Sequence, residues 1–314
     1  MLLKPRGFCA GVVRAIDIVE LALDTYGPPI YVRKEIVHNR HVVQSLAARG
    51  AVFVDEVDDV PAGQRLIYSA HGVAPSVRDA AANRGLRVID ATCPLVTKVH
   101  IEALRFARQR RTILLIGHAN HDEVIGTLGE APDNTIVISS PEDAATVEVP
   151  KGSVAYLTQT TLSIDEAAAI IRVLRSRFPG IEAPPAKDIC YATENRQRAI
   201  KDIAPRADLL LVVGSQNSSN SQRMVEVGTA SGVRGHLIND ERDIEDAWLV
   251  GIRNVAVSAG ASAPELLVER VVRHLRSAGF PNVQEVESVP ENVHFPLPAA
   301  LLGKPRLTPS AAVQ

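Results

Sequence analysis

Short apolar runs alternate along the chain with longer stretches whose apolar residues recur at helical spacing. The runs rich in Val, Ile and Leu fall at 30–33, 51–54, 65–69, 87–90, 112–116, 135–138, 154–157, 209–213, 236–238 and 254–257. Each is bounded by polar or Gly-containing segments, and together they predict strands. Strands that are apolar on both faces and separated by amphipathic helices are the pattern of parallel sheets with crossover connections. The clearest helix begins at Ser163, whose hydroxyl can cap it while Glu166 completes a capping box, and Ala167, Ile170, Ile171 and Leu174 then recur along one face. A weak internal period of roughly 90 residues, in pattern and not in identity, predicts three small α/β domains around a central cavity. Their expected bounds are 1–92, including an N-terminal strand, then 93–190 and 191–280, with a C-terminal extension over 281–314. From Ala299 onward, periodicity is lost and the tail is expected to be loose.

Composition narrows the function. At 314 residues the chain exceeds what one core normally organises. Lys and Arg number 34 against 36 Asp and Glu, and aromatics make up 4%. A protein that grips a nucleic-acid backbone carries an excess of basic residues with aromatic platforms, so no nucleic-acid partner is expected. No segment approaches the ~20 apolar residues that cross a bilayer, and the N-terminus lacks the apolar stretch of a signal peptide. A cytoplasmic protein without membrane partners, its thiols reduced, is the expectation.

Candidate chemistry lies where the apolar runs end, because open parallel sheets bind ligands outside the carboxyl ends of their strands. Those ends carry Ala70-His71-Gly72, Thr92-Cys93-Pro94, His118 through Glu123, Thr158 through Thr161, Ser215 through Ser221 and Ala261 through Glu265. The only three cysteines, Cys9, Cys93 and Cys190, each precede a helical pattern, at 11–24, 95–108 and 193–203. A helix start stabilises a thiolate. Three thiolates are one short of a closed tetrahedral shell, which suits an iron-sulfur cluster or a catalytic zinc with a position left open. No CxxC pair brings the sulfurs together locally. His71 and His121 stand at strand ends and read as functional, His38 less strongly; His100, His236 and His274 read as structural. Glu123 is a candidate general acid if enclosure raises its pKa. Ser218, Ser219, Asn220 and Ser221, with Ser262, resemble an anion cradle, without any GxxxxGK[ST] or GxGxxG sequence.

These segments resemble the IspH or LytB family, reductases of 4-hydroxy-3-methylbut-2-enyl diphosphate. The likeness is carried by Gly7-Phe8-Cys9-Ala10-Gly11-Val12, Glu35 through Asn39, Ser69 through Val73, Asp90 through Val96, Gly117 through Glu123, Thr158 through Ser163, Ile189 through Thr193, Gly214 through Ser221 and Ala259 through Pro264. It runs in the family's order to about Pro298. The resemblance implies a trefoil of three domains around a [4Fe-4S] cluster held by Cys9, Cys93 and Cys190, with one iron open. His38, His71, His121, Ser218, Ser219, Asn220 and Ser262 would bind the substrate diphosphate, Thr160 would contact the substrate hydroxyl, and Glu123 would supply the proton. The products would be isopentenyl and dimethylallyl diphosphate, in the last step of the methylerythritol phosphate pathway, with ferredoxin or flavodoxin as electron donor. Asp122 departs from the family, where Pro is common. If charged imidazoles hold the diphosphate, binding should weaken at alkaline pH. The competing expectation is a non-catalytic metal protein, either a cluster-based sensor or a zinc scaffold.

Overall fold

The computed structural model describes residues 1–302. Its strands are β1 (Leu2–Lys4), β2 (Ile30–Arg33), β3 (Ala51–Val54), β4 (Arg65–Tyr68), β5 (Arg87–Asp90), β6 (Thr112–Ile116), β7 (Thr135–Ile138), β8 (Val154–Thr158), β9 (Leu209–Val213), β10 (Arg234–Ile238), β11 (Val255–Ala259) and β12 (Glu285–Glu287). They form three wholly parallel sheets, with orders β3-β2-β4-β5, β7-β6-β8 and β10-β9-β11-β1-β12. The expected α/β architecture of three parallel sheets around a shared cavity is the one observed. Both faces of β9 and β11 are buried, which is why these segments read as unbroken apolar runs.

β12 has no counterpart in the sequence pattern, and the expected N-terminal strand lies in a different sheet. β1 is not in the sheet of residues 30–90, where an N-terminal strand is expected from chain order; it pairs with β11 and β12. Leu3 is fully buried and packs among Ile200, Leu210 and Val212, while the N-terminal amine donates to the Val255 carbonyl at 2.7 Å. Burial against that sheet selects the partner, and three residues are too few to display a period. β12, Glu-Val-Glu, is an edge strand whose polar residues face water. After β1 the chain leaves this sheet: the helix Ala10–Tyr26 sends Val12, Ile16, Ile18 and Val19 into the core of the first sheet, against Ile30 and Val32.

The C-terminal extension straps the molecule. Beyond β12, Glu291 pairs with the fully buried Arg196 at 2.9 Å, the Pro296 carbonyl accepts from Arg14 Nε at 2.8 Å, and Leu301 is buried in the first sheet's core. Ala299–Leu301 forms a 3-10 turn where looseness was expected, because Leu301 has a core to enter; residues 303–314 lie outside the described residues. Arg196 also donates to the carbonyls of Gly7, at 2.6 Å, and Ala192, at 2.9 Å. Removing its carboxylate partner strands a buried cation, so Glu291→Ala is expected to lower unfolding free energy by about 3–5 kcal/mol, read as a drop in denaturation midpoint. The capping box at Ser163 is half formed: its hydroxyl accepts from Glu166 N–H at 3.4 Å, but the Glu166 carboxylate turns to Arg223 at 3.2 Å. A guanidinium is the stronger partner.

Candidate active site

Each cysteine is the N-cap of a helix, Cys9 of Ala10–Tyr26, Cys93 of Pro94–Arg108 and Cys190 of Tyr191–Ile203. Each is also pinned by its backbone N–H to a loop that leaves the carboxyl end of another strand. The Cys9 N–H donates to the Ala261 carbonyl after β11 at 3.1 Å, that of Cys93 to Ala70 after β4 at 3.0 Å, and that of Cys190 to Thr160 after β8 at 3.0 Å. The thiols therefore mark the three points where the chain passes from one sheet to the next, and they face one cavity of about 760 Å³, including its mouth.

That cavity gathers Cys9, Cys93, Cys190, His38, His71, His121, Glu123, Thr160, Ser218, Ser219, Asn220 and Ser262; Ser221, also expected in the anion cradle, is instead fully buried behind it with its hydroxyl donating to Ser218 Oγ at 3.0 Å. Space beside the sulfurs depends on Gly11, where an added Cβ would lie 2.7 Å from Cys93 Sγ and 3.9 Å from Cys9 Sγ. Burial pushes the Cys93 thiol up to about 12 and the Cys190 thiol up to about 11, with the other thiols adding to the rise. Desolvation outweighs the helix dipole at these two, contrary to the expectation of thiolates favoured by helix starts alone; a positive partner is needed for Cys93 and Cys190 to ionise near neutral pH. Cys190 Sγ also donates to Thr193 Oγ1 at 3.2 Å and accepts from the Thr193 N–H at 3.4 Å.

Glu123 is nearly solvent-free, at 2% exposure. Its Oε1 accepts from the Thr160 N–H at 2.6 Å, and its Oε2 lies 3.0 Å from Thr160 Oγ1. Burial raises its pKa to about 7, with the Thr160 bonds pulling down and Asp188 pushing up. The three imidazoles cluster: His38 stacks on His71 with centroids 4.0 Å apart and planes at 19°, and His121 meets both edge-on at 5.6 and 5.8 Å. Burial first, and then the neighbouring rings, holds His71 well below the ordinary histidine range and His121 down at about 4. Both are neutral at pH 7, which removes these two rings from the expected alkaline loss of binding and leaves them as neutral hydrogen-bonding groups.

The Ser-Asn run caps the helix Ser219–Ala230 and also ties sheets together. Ser218 Oγ accepts from the Ser221 N–H at 3.4 Å, Asn220 donates to Thr193 Oγ1 at 3.1 Å and accepts from the Ala261 N–H at 2.9 Å, and Ser219 Oγ receives Thr161 Oγ1 at 3.1 Å. Ser262 Oγ donates to the His38 carbonyl at 2.9 Å. Sequence reading missed Tyr191, whose hydroxyl accepts from the Ala10 N–H at 3.1 Å, and Thr193; the Cys190-x-x-Thr193 spacing of a helix cap was the available signal. It also missed Phe295, which the strap brings to the cavity and which no local pattern marks. His100, read as structural, is wedged against Gly72 and Gly126 with Nδ1 2.9 Å from Glu130, and His236 stacks on Trp248 at 3.8 Å.

Gly11→Ala separates fold from site. Alanine suits a helix better by roughly 0.5–1 kcal/mol, yet its methyl group would crowd Cys93 Sγ. The expected result is retained helicity by circular dichroism with several-fold less metal per chain after anaerobic purification.

Fold and site together define a three-sheet parallel α/β protein with a metal-capable trio of helix-capping thiols facing a protonatable carboxyl in one enclosed cavity. The family model described as LytB protein matches residues 1–276. Among curated relatives, a 4-hydroxy-3-methylbut-2-enyl diphosphate reductase of Acidothermus cellulolyticus is 56% identical over 303 residues, 96% of this chain and 89% of that one. Its counterpart from Bordetella pertussis is 55% identical over 305 residues, 97% and 94% of the two chains. Among solved structures, the E-1-hydroxy-2-methyl-but-2-enyl-4-diphosphate reductase from Plasmodium falciparum is similar with a TM-score of 0.94 at 42% identity, covering 96% of each chain. This chain belongs to the LytB protein family.

Proposed function

We propose that the chain reduces 4-hydroxy-3-methylbut-2-enyl diphosphate to isopentenyl and dimethylallyl diphosphate, the last step of the methylerythritol phosphate pathway. The relatives' names support the reaction, and the observation that carries it is Glu123, hydrogen-bonded to Thr160 in the cavity that holds all three thiols. The balanced step takes up two electrons and two protons, breaks the allylic C–O bond and releases water.

A cluster fits the donors. Three thiols on one cavity suit a cluster that keeps one iron open, and the missing Cβ at Gly11 leaves room beside the Cys9 and Cys93 sulfurs. Cys9, Cys93 and Cys190 would hold a [4Fe-4S] cluster, which when bound supplies a Lewis acid at its open iron and electrons one at a time. Protonated Glu123 donates to Thr160 Oγ1, and the Thr160 hydroxyl passes its own proton toward the substrate hydroxyl. His38, His71, His121, Ser218, Ser219, Asn220 and Ser262 would orient the diphosphate through hydrogen bonds, and the enclosing walls exclude water. A reduced ferredoxin or flavodoxin would supply the electrons. Cytoplasmic residence accords with reduced thiols; among the described residues no helix is long and apolar enough to cross a membrane.

Anaerobically purified protein should be brown, contain iron and sulfide in comparable amounts, and turn over the hydroxylated diphosphate with a reduced dye. Colourless zinc protein, or brown protein without turnover, would refute the proposal, the latter favouring the sensor reading.

A further inference from the structure

We propose that His38, His71 and Asp122 form a second metal site, separate from the thiols, for a borderline divalent ion of zinc's class, and that zinc bound there competes with the anionic substrate. Among the described residues, this is the one trio of His, Cys, Asp or Glu ligand atoms lying within 4.8 Å of one another. Their outer contacts bear on which ring nitrogen is free to ligate. His38 Nδ1 lies 3.1 Å from the Glu35 carboxylate, which can only accept, so the proton sits on Nδ1 and Nε2 is left with its lone pair. His71 Nδ1 lies 3.3 Å from Ser69 Oγ, and when that hydroxyl accepts, Nε2 is the nitrogen left to ligate. The two rings stack face to face with centroids 4.0 Å apart, close enough for both to reach one ion once they rotate. Carboxylate-histidine-metal arrays use this outer contact to hold the imidazole tautomer. Asp122 opens the helix Asp122–Glu130 and supplies the anionic donor. Ligands bound at about 2.0–2.1 Å around a tetrahedral ion sit about 3.3 Å apart, so the site closes by rotation of these side chains, leaving one position for water. Imidazole and carboxylate donors suit zinc, and Asp122 is the residue that makes the histidine pair a metal site.

Zinc binding can be counted without reference to turnover. Holoprotein, loaded and anaerobic, is dialysed against free Zn²⁺ set by a nitrilotriacetate buffer, and zinc and iron per chain are measured. The expected result is about one added zinc at unchanged iron, weakened about tenfold or more by Asp122→Asn and by Glu35→Gln. Zinc taken up only as iron is lost, or equally by wild type and both variants, overturns the site. The competition rests on the proposed function. With the same buffered zinc, inhibition should be competitive with the hydroxylated diphosphate, and the Asp122→Asn protein, compared with itself without zinc, should need about tenfold more metal. Noncompetitive inhibition, or equal sensitivity of wild type and variant, refutes competition. If no substrate turns over at all, the functional reading fails while the zinc count still decides the site.

Discussion

Glu123→Gln is expected to cut turnover by about 10²–10⁴-fold, the range supplied by a positioned general acid, while iron content and diphosphate binding stay near wild type. The amide matches the carboxyl in size and can still accept from the Thr160 N–H, the 2.6 Å contact that fixes the side chain, but it has no proton to give to Thr160 Oγ1. The pH profile follows from the same geometry. Burial raises Glu123 to about 7, so its acid form is abundant below that pH and lost above it; kcat should fall about tenfold per pH unit on the alkaline side. Stability has a matching sign. A carboxyl whose folded pKa lies above its unfolded value makes the folded state bind more protons between the two, so its stabilising contribution is present in acid and lost as pH rises through about 7. Glu123→Gln should therefore become more stable relative to wild type between pH 5 and 8, as denaturation midpoints would show. Loss of iron in this variant would mean the carboxyl is structural and would remove the acid role.

Cys93→Ser should lose the metal centre outright, with iron per chain falling about tenfold or more and visible colour and activity lost with it. Cys93 is the most informative of the three. Its thiol is pushed up to about 12 by burial, so its sulfur ionises near neutral pH only against a strong cation, and a serine hydroxyl at the same place ionises far less readily. The far-ultraviolet spectrum should persist, because Cys93 contributes no side-chain cap to its helix and its N–H contact with the Ala70 carbonyl survives substitution. A brown Cys93→Ser protein with near-normal iron would contradict ligation by all three thiols.

Much of this was legible along the chain because it is local. A strand buried on both faces must be apolar throughout, so β9 and β11 show as Leu-Leu-Leu-Val-Val and Val-Ala-Val-Ser-Ala; a helix start favours particular neighbours, so the turns at Cys93 and Cys190 announce themselves. Where sequence reading departed from the structure, a long-range term had taken over. Burial, not the helix dipole, governs the pKa of Cys93 and Cys190, and it keeps His71 and His121 neutral. Arg223 draws Glu166 away from its capping partner. β1 and β12 are too short or too polar to show a period, and Phe295 reaches the cavity only because the strap carries it there.

From residues alone came the parallel α/β class, the helices that follow the cysteines and the polar strand ends that bear the candidate chemistry, since each depends on side chains a few positions apart. Convergence was decided by the fold. Cys9 bonds to Ala261, Cys93 to Ala70 and Cys190 to Thr160, which fixes each thiol at a strand's carboxyl end; the packing of the three sheets brings these ends to one cavity, where desolvation raises the pKa of Cys93, Cys190 and Glu123. Neither distance across the fold nor exclusion of water is a property of any stretch of sequence, because both arise from packing segments that are separated along the chain.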